Sequence, residues 1–447
     1  MIQNNIKKKI FIISGFSDIE ISGNQSMKNN IKYFSSFGYK VFVFSFFPKN
    51  YTNLQDSNKI FDSNVNFYRA PAVFSPLLYF GKRVKDFLGR DKKIEEKINI
   101  LKPNQVEEYY AGYTFVYRII HIITLFFFYL PIESLRIFIY YFKEKPDIFY
   151  GINWQGAIVA SLLGKFLKKS VVNRFHGTTL KPEDIKKIKQ RILLIDEILA
   201  LKASCDAVIM LNDGTRGDKV LRLLGVPEEK IYFWRNGVDV NNLTLPIDWN
   251  PEIFKRELNL NNKEIIIMVS RLAAWKRVER GIYCVYKLIK EYKFSNIVLL
   301  IIGDGPQRKV LEKLVEWLGI KNSVQFLGLI PHREVAKYYS ITNLFLSLYD
   351  ITNLGNPVLE ALYFGIPIIT ISDEGTRQLL EDGYNSLLIK PKNLERDLPV
   401  KVKLLLENNS LREKIKKNAR LTFEEKVLTW EQRMRLEDRL IKRILKK

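Results

Sequence analysis

The chain has 447 residues, 47% of them hydrophobic, with 71 Lys and Arg against 48 Asp and Glu, for a formal net charge of +23. That length holds two or three domains with a well-filled core. The charge argues against an acidic, solvating chain and favours nucleic acid, anionic lipid or a phosphorylated substrate as partner. Because the lysines are spread along the whole sequence, a compositional bias of the source genome explains the excess equally well. The two cysteines, Cys205 and Cys284, lie far apart in apolar surroundings, which fits free, buried thiols in a reducing compartment. No Cys/His cluster has zinc-site spacing, and no Asp-x-Asp pair offers a metal–diphosphate clamp.

In chain order, "KKIFIIS" (8–14) reads as a first strand. Its apolar part is too short for the core of a signal peptide, and a turn follows at Ser14–Gly15. A loop with "ISGNQS" (21–26), a helix over 25–37, a strand over 38–47 and a third strand over 65–71 come next. Residues 74–143 form a basic, aromatic-rich, mainly helical insertion. Within it, 119–142 is the one membrane candidate, but His121, Pro131, Glu133 and Arg136 interrupt the apolar run. It reads as a buried or interface-lying helix rather than a spanning one. Strands at 146–151, 170–177, 206–211 and 230–239 then alternate with helices at 154–168, 185–203 and 214–224. Residues 241–252 read as a linker rich in Pro, Asn and Asp. Beyond it, strands at 264–270, 296–303, 323–328, 343–348, 366–371 and 385–389 are separated by helices. This is the pattern of a doubly wound parallel sheet. A charged helical tail closes the chain.

Three stretches carry chemistry. In "TNLGNPVLEALYFGIP" (352–367) a turn enters a helix that is apolar nearly all round, with Asn356 expected as N-cap and Pro357 as the first helical residue. Glu360 is the single carboxylate, placed in the first turn. Complementing the helix dipole is the ordinary explanation for an acid there, but burial makes an unpaired carboxylate costly and favours a ligand-facing role. In "MVSRLAAWKRVERG" (268–281), Arg271 and Lys276 leave the carboxyl end of a strand, where a forked and a point cation suit a diphosphate. A solvated basic loop reads the same way. In "IIGDGP" (301–306), Gly303 permits close approach of a ligand to backbone, or simply a strand-to-helix turn.

The ordered set "SRLAAWK", "IGDGP", "LGNPVLEALYFGIPI" and Trp430 in the tail, preceded by "ISGNQS", "RFHGTT" (174–179) and "RNGVD" (235–239), resembles the retaining nucleotide-sugar glycosyltransferases of family 4. The resemblance covers most of the chain outside 74–143. It implies the α/β GT-B fold: two Rossmann-like, doubly wound parallel-sheet domains facing a cleft. An acceptor-side domain over 1–240 and the linker 241–252 would precede a donor-binding domain over 253–420. The tail 421–447 would pack back on the first domain. Arg271 and Lys276 would hold the donor diphosphate and Glu360 the ribose hydroxyls. Backbone amides around Asn353, Leu354, Gly355 and Asn356 would cradle sugar and phosphate, with Gly303 beside them and Leu329 beside the base. His176 would contact the transferred sugar, and Gly23 and Asn24 would lie on the acceptor side. The family's first Glu, eight positions before Glu360, is replaced by Thr352. Either Thr352 or Asp350 would take its place, or activity would be lost.

The implied reaction is metal-independent transfer of a sugar, with retention, from a UDP- or GDP-sugar to a hydroxyl of a saccharide or lipid-linked acceptor in surface glycan synthesis. No cofactor or metal is expected. The basic, aromatic stretch 74–90 suits an anionic membrane surface as partner. The expected location is cytoplasmic, peripheral at the inner face of the membrane. Rival readings are a sugar-nucleotide epimerase, a phosphorylase, or a non-catalytic basic protein. The last lacks any recognised nucleic-acid module, so nucleic acid is not an expected partner.

Overall fold

Continuous runs of Ile, Val, Leu and Phe, rather than alternating ones, dominate the strands. In the computed structural model they build two parallel sheets buried on both faces, as such runs demand. The structure describes residues 8–14, 25–48, 63–70, 118–120, 122–351 and 353–446. The described chain divides into two units. The first comprises residues 1–211, 217–233 and 437–447, and the second 212–216 and 234–436.

In the first unit, β1 (Lys9–Ser14), β2 (Lys40–Pro48), β3 (Val65–Ala70), β4 (Ile148–Ile152), β5 (Ser170–Phe175), β6 (Ala207–Leu211) and β7 (Ile231–Trp234) form a seven-stranded sheet of order β3-β2-β1-β4-β5-β6-β7. β1 is central and parallel to both neighbours, with Ile10 opposite Val41 on one side and Ile148 on the other. Phe11, Phe42, Phe44 and Phe149 meet the helices that cover one face. Gly156 lets the helix Asn153–Leu167 settle on β1, since a Cβ there would lie 2.1 Å from the Ile13 carbonyl oxygen.

In the second unit, β8 (Glu264–Val269), β9 (Ile297–Ile302), β10 (Val324–Gly328), β11 (Leu344–Ser347), β12 (Ile368–Ile371) and β13 (Leu387–Ile389) take the order β10-β9-β8-β11-β12-β13. Alternate residues of β8 enter separate cores. Ile266 and Met268 join one, and Ile265 and Ile267 the other. Both sheets therefore reverse strand order beside their first strand, the arrangement that opens a ligand crevice beyond the strands' carboxyl ends.

Several local expectations differ from what forms. The helix expected over 185–203 is two short ones, Ile188–Leu193 and Ile195–Leu201, broken at Leu194, whose φ of −115° and ψ of 27° leave the helical region. β7 ends at Trp234, because Val238 is instead held by the Leu428 carbonyl and by the Trp430 amide. Part of the stretch 241–252 is helical, at Val240–Leu243 and from Pro251 onward, the latter capped by the Asn250 side chain. The stretch 74–90, with Gly23, Asn24 and Thr352, lies outside the described residues. Cys205 and Cys284 are free and buried.

The first unit carries a buried ion pair between Arg174 on β5 and Glu437 of the helix Trp430–Ile444. Glu437 also accepts from Tyr150 Oη at 2.6 Å and from Asn30 Nδ2 at 3.0 Å. Removing one partner strands a charge in the core. Arg174→Met should therefore lower unfolding stability by about 3–5 kcal/mol, while Arg174→Met with Glu437→Leu should recover most of it. Urea unfolding of the two variants checks this.

Candidate functional site

The carboxyl ends of β8 and β11 flank the order reversal of the second sheet. After β8 the chain makes a tight turn, Ala274–Lys276, and then reverses at Arg277, whose φ is +52°, into the helix Val278–Lys290. After β11 it is pinned back onto β8: Tyr349 Oη donates to the Val269 carbonyl at 3.0 Å, and the Asp350 amide to the Trp275 carbonyl at 3.0 Å. Gly303 closes the third side. Its φ is +129°, and a Cβ would lie 1.9 Å from the Ser270 carbonyl oxygen, so only glycine lets β9 and the 270–272 loop approach this closely.

Into this corner reaches Lys276. Its Nζ lies 3.8 Å from the Tyr349 ring centroid and 4.1 Å from that of Trp275. No carboxylate pairs with it among the described residues. Burial pulls its pKa down to about 7, against the opposing pull of Asp213. Asp213, itself pushed up to about 6 by burial, accepts from the Thr215 amide at 3.0 Å and hydroxyl at 2.7 Å. Arg271 lies exposed on the same loop with no side-chain partner among the described residues. A half-buried lysine against two aromatic rings, with an exposed arginine on the same loop and no carboxylate paired to either, describes a binding site for a multiply charged anion.

The helix Asn356–Tyr363 begins one residue earlier than its sequence suggests. Gly355 is the N-cap, because the Asn356 side-chain carbonyl accepts from Asn236 Nδ2 at 2.9 Å instead of capping. Glu360 consequently lies one position past the first turn. It is buried, with Oε1 2.9 Å from His332 Nε2 and Oε2 accepting from Tyr339 Oη at 3.0 Å. Each oxygen retains a second lone pair for a ligand hydroxyl. The Asn353 side chain is spent on the loop: it donates to the Tyr349 carbonyl at 2.9 Å and accepts from the Tyr349 amide at 3.0 Å. The Leu354 amide, expected in the amide cradle, donates to the Asp213 carbonyl at 3.0 Å. Leu329 is 66% exposed just beyond β10, an apolar side chain left without cover. Asp350 is engaged by Arg280 at 2.6 Å and does not stand in for the absent Glu as it is placed.

His176, in the first unit, follows β5. Its amide and Nδ1 lie 3.0 and 3.1 Å from Asn153 Oδ1, and Nε2 lies 2.8 Å from Ser26 Oγ. Arg174 Nη2 donates to the same hydroxyl at 2.9 Å. Both ring nitrogens of His176 therefore face protein oxygens, Nδ1 that of Asn153 and Nε2 that of Ser26. The following loop is gripped by buried Glu197, which accepts from the Thr178 hydroxyl and from the Thr179 amide at 2.8 Å. Among the described residues no three His, Cys, Asp or Glu side chains are grouped to hold a metal.

Asp213, Tyr349, His332, Tyr339 and Glu197 were not foreseen from sequence. The one available signal was a charged residue inside an apolar stretch, as with Glu197 in "LLIDEILAL" (193–201).

The lowered pKa of Lys276 sets a testable sign. The unfolded lysine holds its proton to about pH 10.4 and the folded one only to about 7. The folded state therefore carries a penalty at and below pH 7 that fades as pH rises between those values. Lys276→Met should unfold at higher denaturant than the parent at pH 6, by on the order of 1 kcal/mol after solvent screening, and the gap should close towards pH 10. Denaturant midpoints across that range check it.

Residues 250–422 match the family Glycosyl transferases group 1. Over 293 residues the chain is 26% identical to a glycosyltransferase of Methanocaldococcus jannaschii, spanning 63% of this chain and 72% of that one. Sucrose-phosphate synthase from Thermosynechococcus elongatus superposes with a TM-score of 0.70 at 17% identity, over 98% of this chain and 99% of its own. HepE of Anabaena, solved in complex with UDP-glucose, superposes with a TM-score of 0.67 at 17% identity, over 96% and 98%. The chain is a glycosyltransferase of the GT-B fold, and its residues 250–422 match the group 1 family.

Proposed function

We propose that the protein transfers a hexosyl group from a UDP- or GDP-sugar to a hydroxyl of a saccharide or lipid-linked acceptor in surface glycan synthesis, with retention at the anomeric carbon. One observation carries the donor half of this reading: the desolvated, unpaired Lys276 beside exposed Arg271 at the order reversal of the group 1 domain. As the bond to the anomeric carbon breaks, negative charge grows on the leaving diphosphate, and fixed cations stabilise it more there than in the ground state. Glu360, held between His332 and Tyr339, is pre-oriented to accept from ribose hydroxyls. A UDP-sugar as donor accords with the UDP-glucose bound by HepE.

The acceptor proton passes to the departing phosphate on the same face of the sugar in this reading. His176 supports it by what it is not free to do. Its ring nitrogens both lie within hydrogen-bond distance of protein oxygens, Nε2 of Ser26 Oγ and Nδ1 of Asn153 Oδ1, which suits a fixed polar contact for the sugar better than a general base.

Thermal unfolding with UDP, GDP, ADP, TDP and CMP, without added metal, tests the reading. One nucleoside diphosphate should stabilise the chain, by about 2.7 kcal/mol at a hundredfold over its dissociation constant. Lys276→Ala and Glu360→Ala should abolish the shift. With the matching sugar donor, Lys276→Ala should lose about 3 kcal/mol of transition-state stabilisation, a hundredfold or more in kcat/KM. Release of free rearranged sugar without an acceptor, or a requirement for inorganic phosphate, would overturn transfer in favour of an epimerase or a phosphorylase.

A further inference from the structure

The first unit presents an apolar face that its own described residues leave bare. The helical run Arg118–Glu144 is long and apolar enough by composition to cross a membrane, yet little of it is buried. Its inner side is committed to the protein: Leu125, Leu130 and Ile137 sit in the core against the sheet. Its outer side is a stripe at helical spacing of Phe128, Leu135, Ile139 and Phe142, all exposed. The neighbouring helix Asn153–Leu167 continues the patch with exposed Leu162 and Phe166, and Phe138 joins the two helices. Its ring centroid lies 5.0 Å from that of Phe142 and 5.8 Å from that of Phe166. Farther along the same layer, Ile188 and Ile192 stand exposed one turn apart on the helix Ile188–Leu193. Scattered exposed apolar residues are ordinary on a soluble surface, but a run of aromatic and branched side chains across adjacent helices is not.

The unpaired charge beside this face is predominantly positive, with Glu183 the exception. Lys143, Lys165, Lys168, Lys189, Arg191 and Lys202 are exposed and pair with no carboxylate among the described residues. Nearby acids are already committed: Glu144 to Lys9 and Lys40, Glu133 to Arg136, Asp196 to Arg118 and Asp184 to Lys187. Lysine stems lie along apolar surface while their ammonium groups reach water. An apolar centre alone would suit a protein partner too; the predominantly cationic rim is what favours anionic lipid. Here the centre is aliphatic and aromatic, and the rim is cationic.

We propose that the outer face of the helices Leu130–Glu144, Asn153–Leu167 and Ile188–Leu193 docks the protein on an anionic lipid bilayer. The side chains enter the headgroup layer, and the helices lie along it rather than cross it. The commitment of Leu125, Leu130 and Ile137 to the core is what forbids crossing. An apolar face sunk to the acyl boundary with a basic rim among anionic headgroups is the balance that interfacial helices use. The inference concerns attachment and not the reaction.

Sedimentation of the full chain with vesicles tests it. The protein should pellet with phosphatidylglycerol-rich vesicles, stay in solution with pure phosphatidylcholine, and be released in part by high salt. Lys143→Gln/Lys165→Gln/Lys168→Gln should weaken partitioning by on the order of a hundredfold, at roughly fivefold for each lysine near the surface. Phe142→Ser/Phe166→Ser should abolish pelleting, and both variants should keep the parent's melting temperature and its stabilisation by nucleoside diphosphate. No binding by the parent would overturn the proposal. So would binding that survives in both variants, which would place attachment elsewhere, such as in 74–90. Resistance to alkaline carbonate extraction would mean a spanning helix. A parent dimer that the apolar variant dissolves, without vesicle binding, would show that a second copy covers the face. Loss of sugar transfer with vesicle binding intact would count against the catalytic reading alone.

Discussion

The candidate donor site depends on one topological constraint, the reversal of strand order between β8 and β11. The chain leaves β8 towards one side of the sheet and β11 towards the other. The two loops part, and the gap between them is walled by backbone. Three ties keep it narrow: Tyr349 to Val269, Asp350 to Trp275, and the Gly303 turn packed on Ser270. A lysine anchored in one of these loops has its ammonium group drawn out of bulk water and against aromatic faces. The unusual acidity of Lys276 is a consequence of that geometry, and so is its readiness for a multivalent anion.

Polar side chains around both candidate regions divide into those that hold the frame and those left available. Asn353, Asp213, Glu197 and Asp350 are consumed by backbone and neighbouring side chains. Each fixes a loop that follows a strand. Glu360 stands between the two groups, held from behind by His332 and Tyr339 but with acceptor capacity to spare. Arg271 and Lys276 are available outright. Buried polar groups that bond one another fix these loops more rigidly than apolar contacts would. A half-buried lysine held on aromatic faces with no carboxylate paired to it is poised to take an anionic ligand.

The strand and helix pattern was legible because both sheets are buried on both faces, and their apolar runs announce themselves between glycine and proline stops. Arg271, Lys276, Gly303 and Glu360 stand out in the sequence through the order of their motifs. What escaped was set by tertiary pairing. Nothing local breaks the 185–203 helix at Leu194, and nothing local announces that Asn356 would turn to Asn236 rather than cap its own helix. The clamp that the Asn353 side chain makes on Tyr349 has no signal in the sequence. Asp213 and Tyr349 carry no motif of their own, yet they set the electrostatics of Lys276. The apolar face was half visible: the hydrophobic run over 119–142 was plain, but only the fold shows which side of it is spent on the core.

The central claim is that Lys276 is the desolvated cation that receives the donor diphosphate. Calorimetry of UDP binding at pH 8, in two buffers of different ionisation enthalpy, tests it most directly. Free Lys276, with its pKa lowered to about 7, is largely neutral at that pH, and a bound diphosphate would restore its proton. Binding should therefore take up most of roughly one proton at pH 8 and close to none at pH 6, and the uptake should vanish in Lys276→Met. Binding without proton uptake at pH 8, or equal uptake in the variant, would contradict the account.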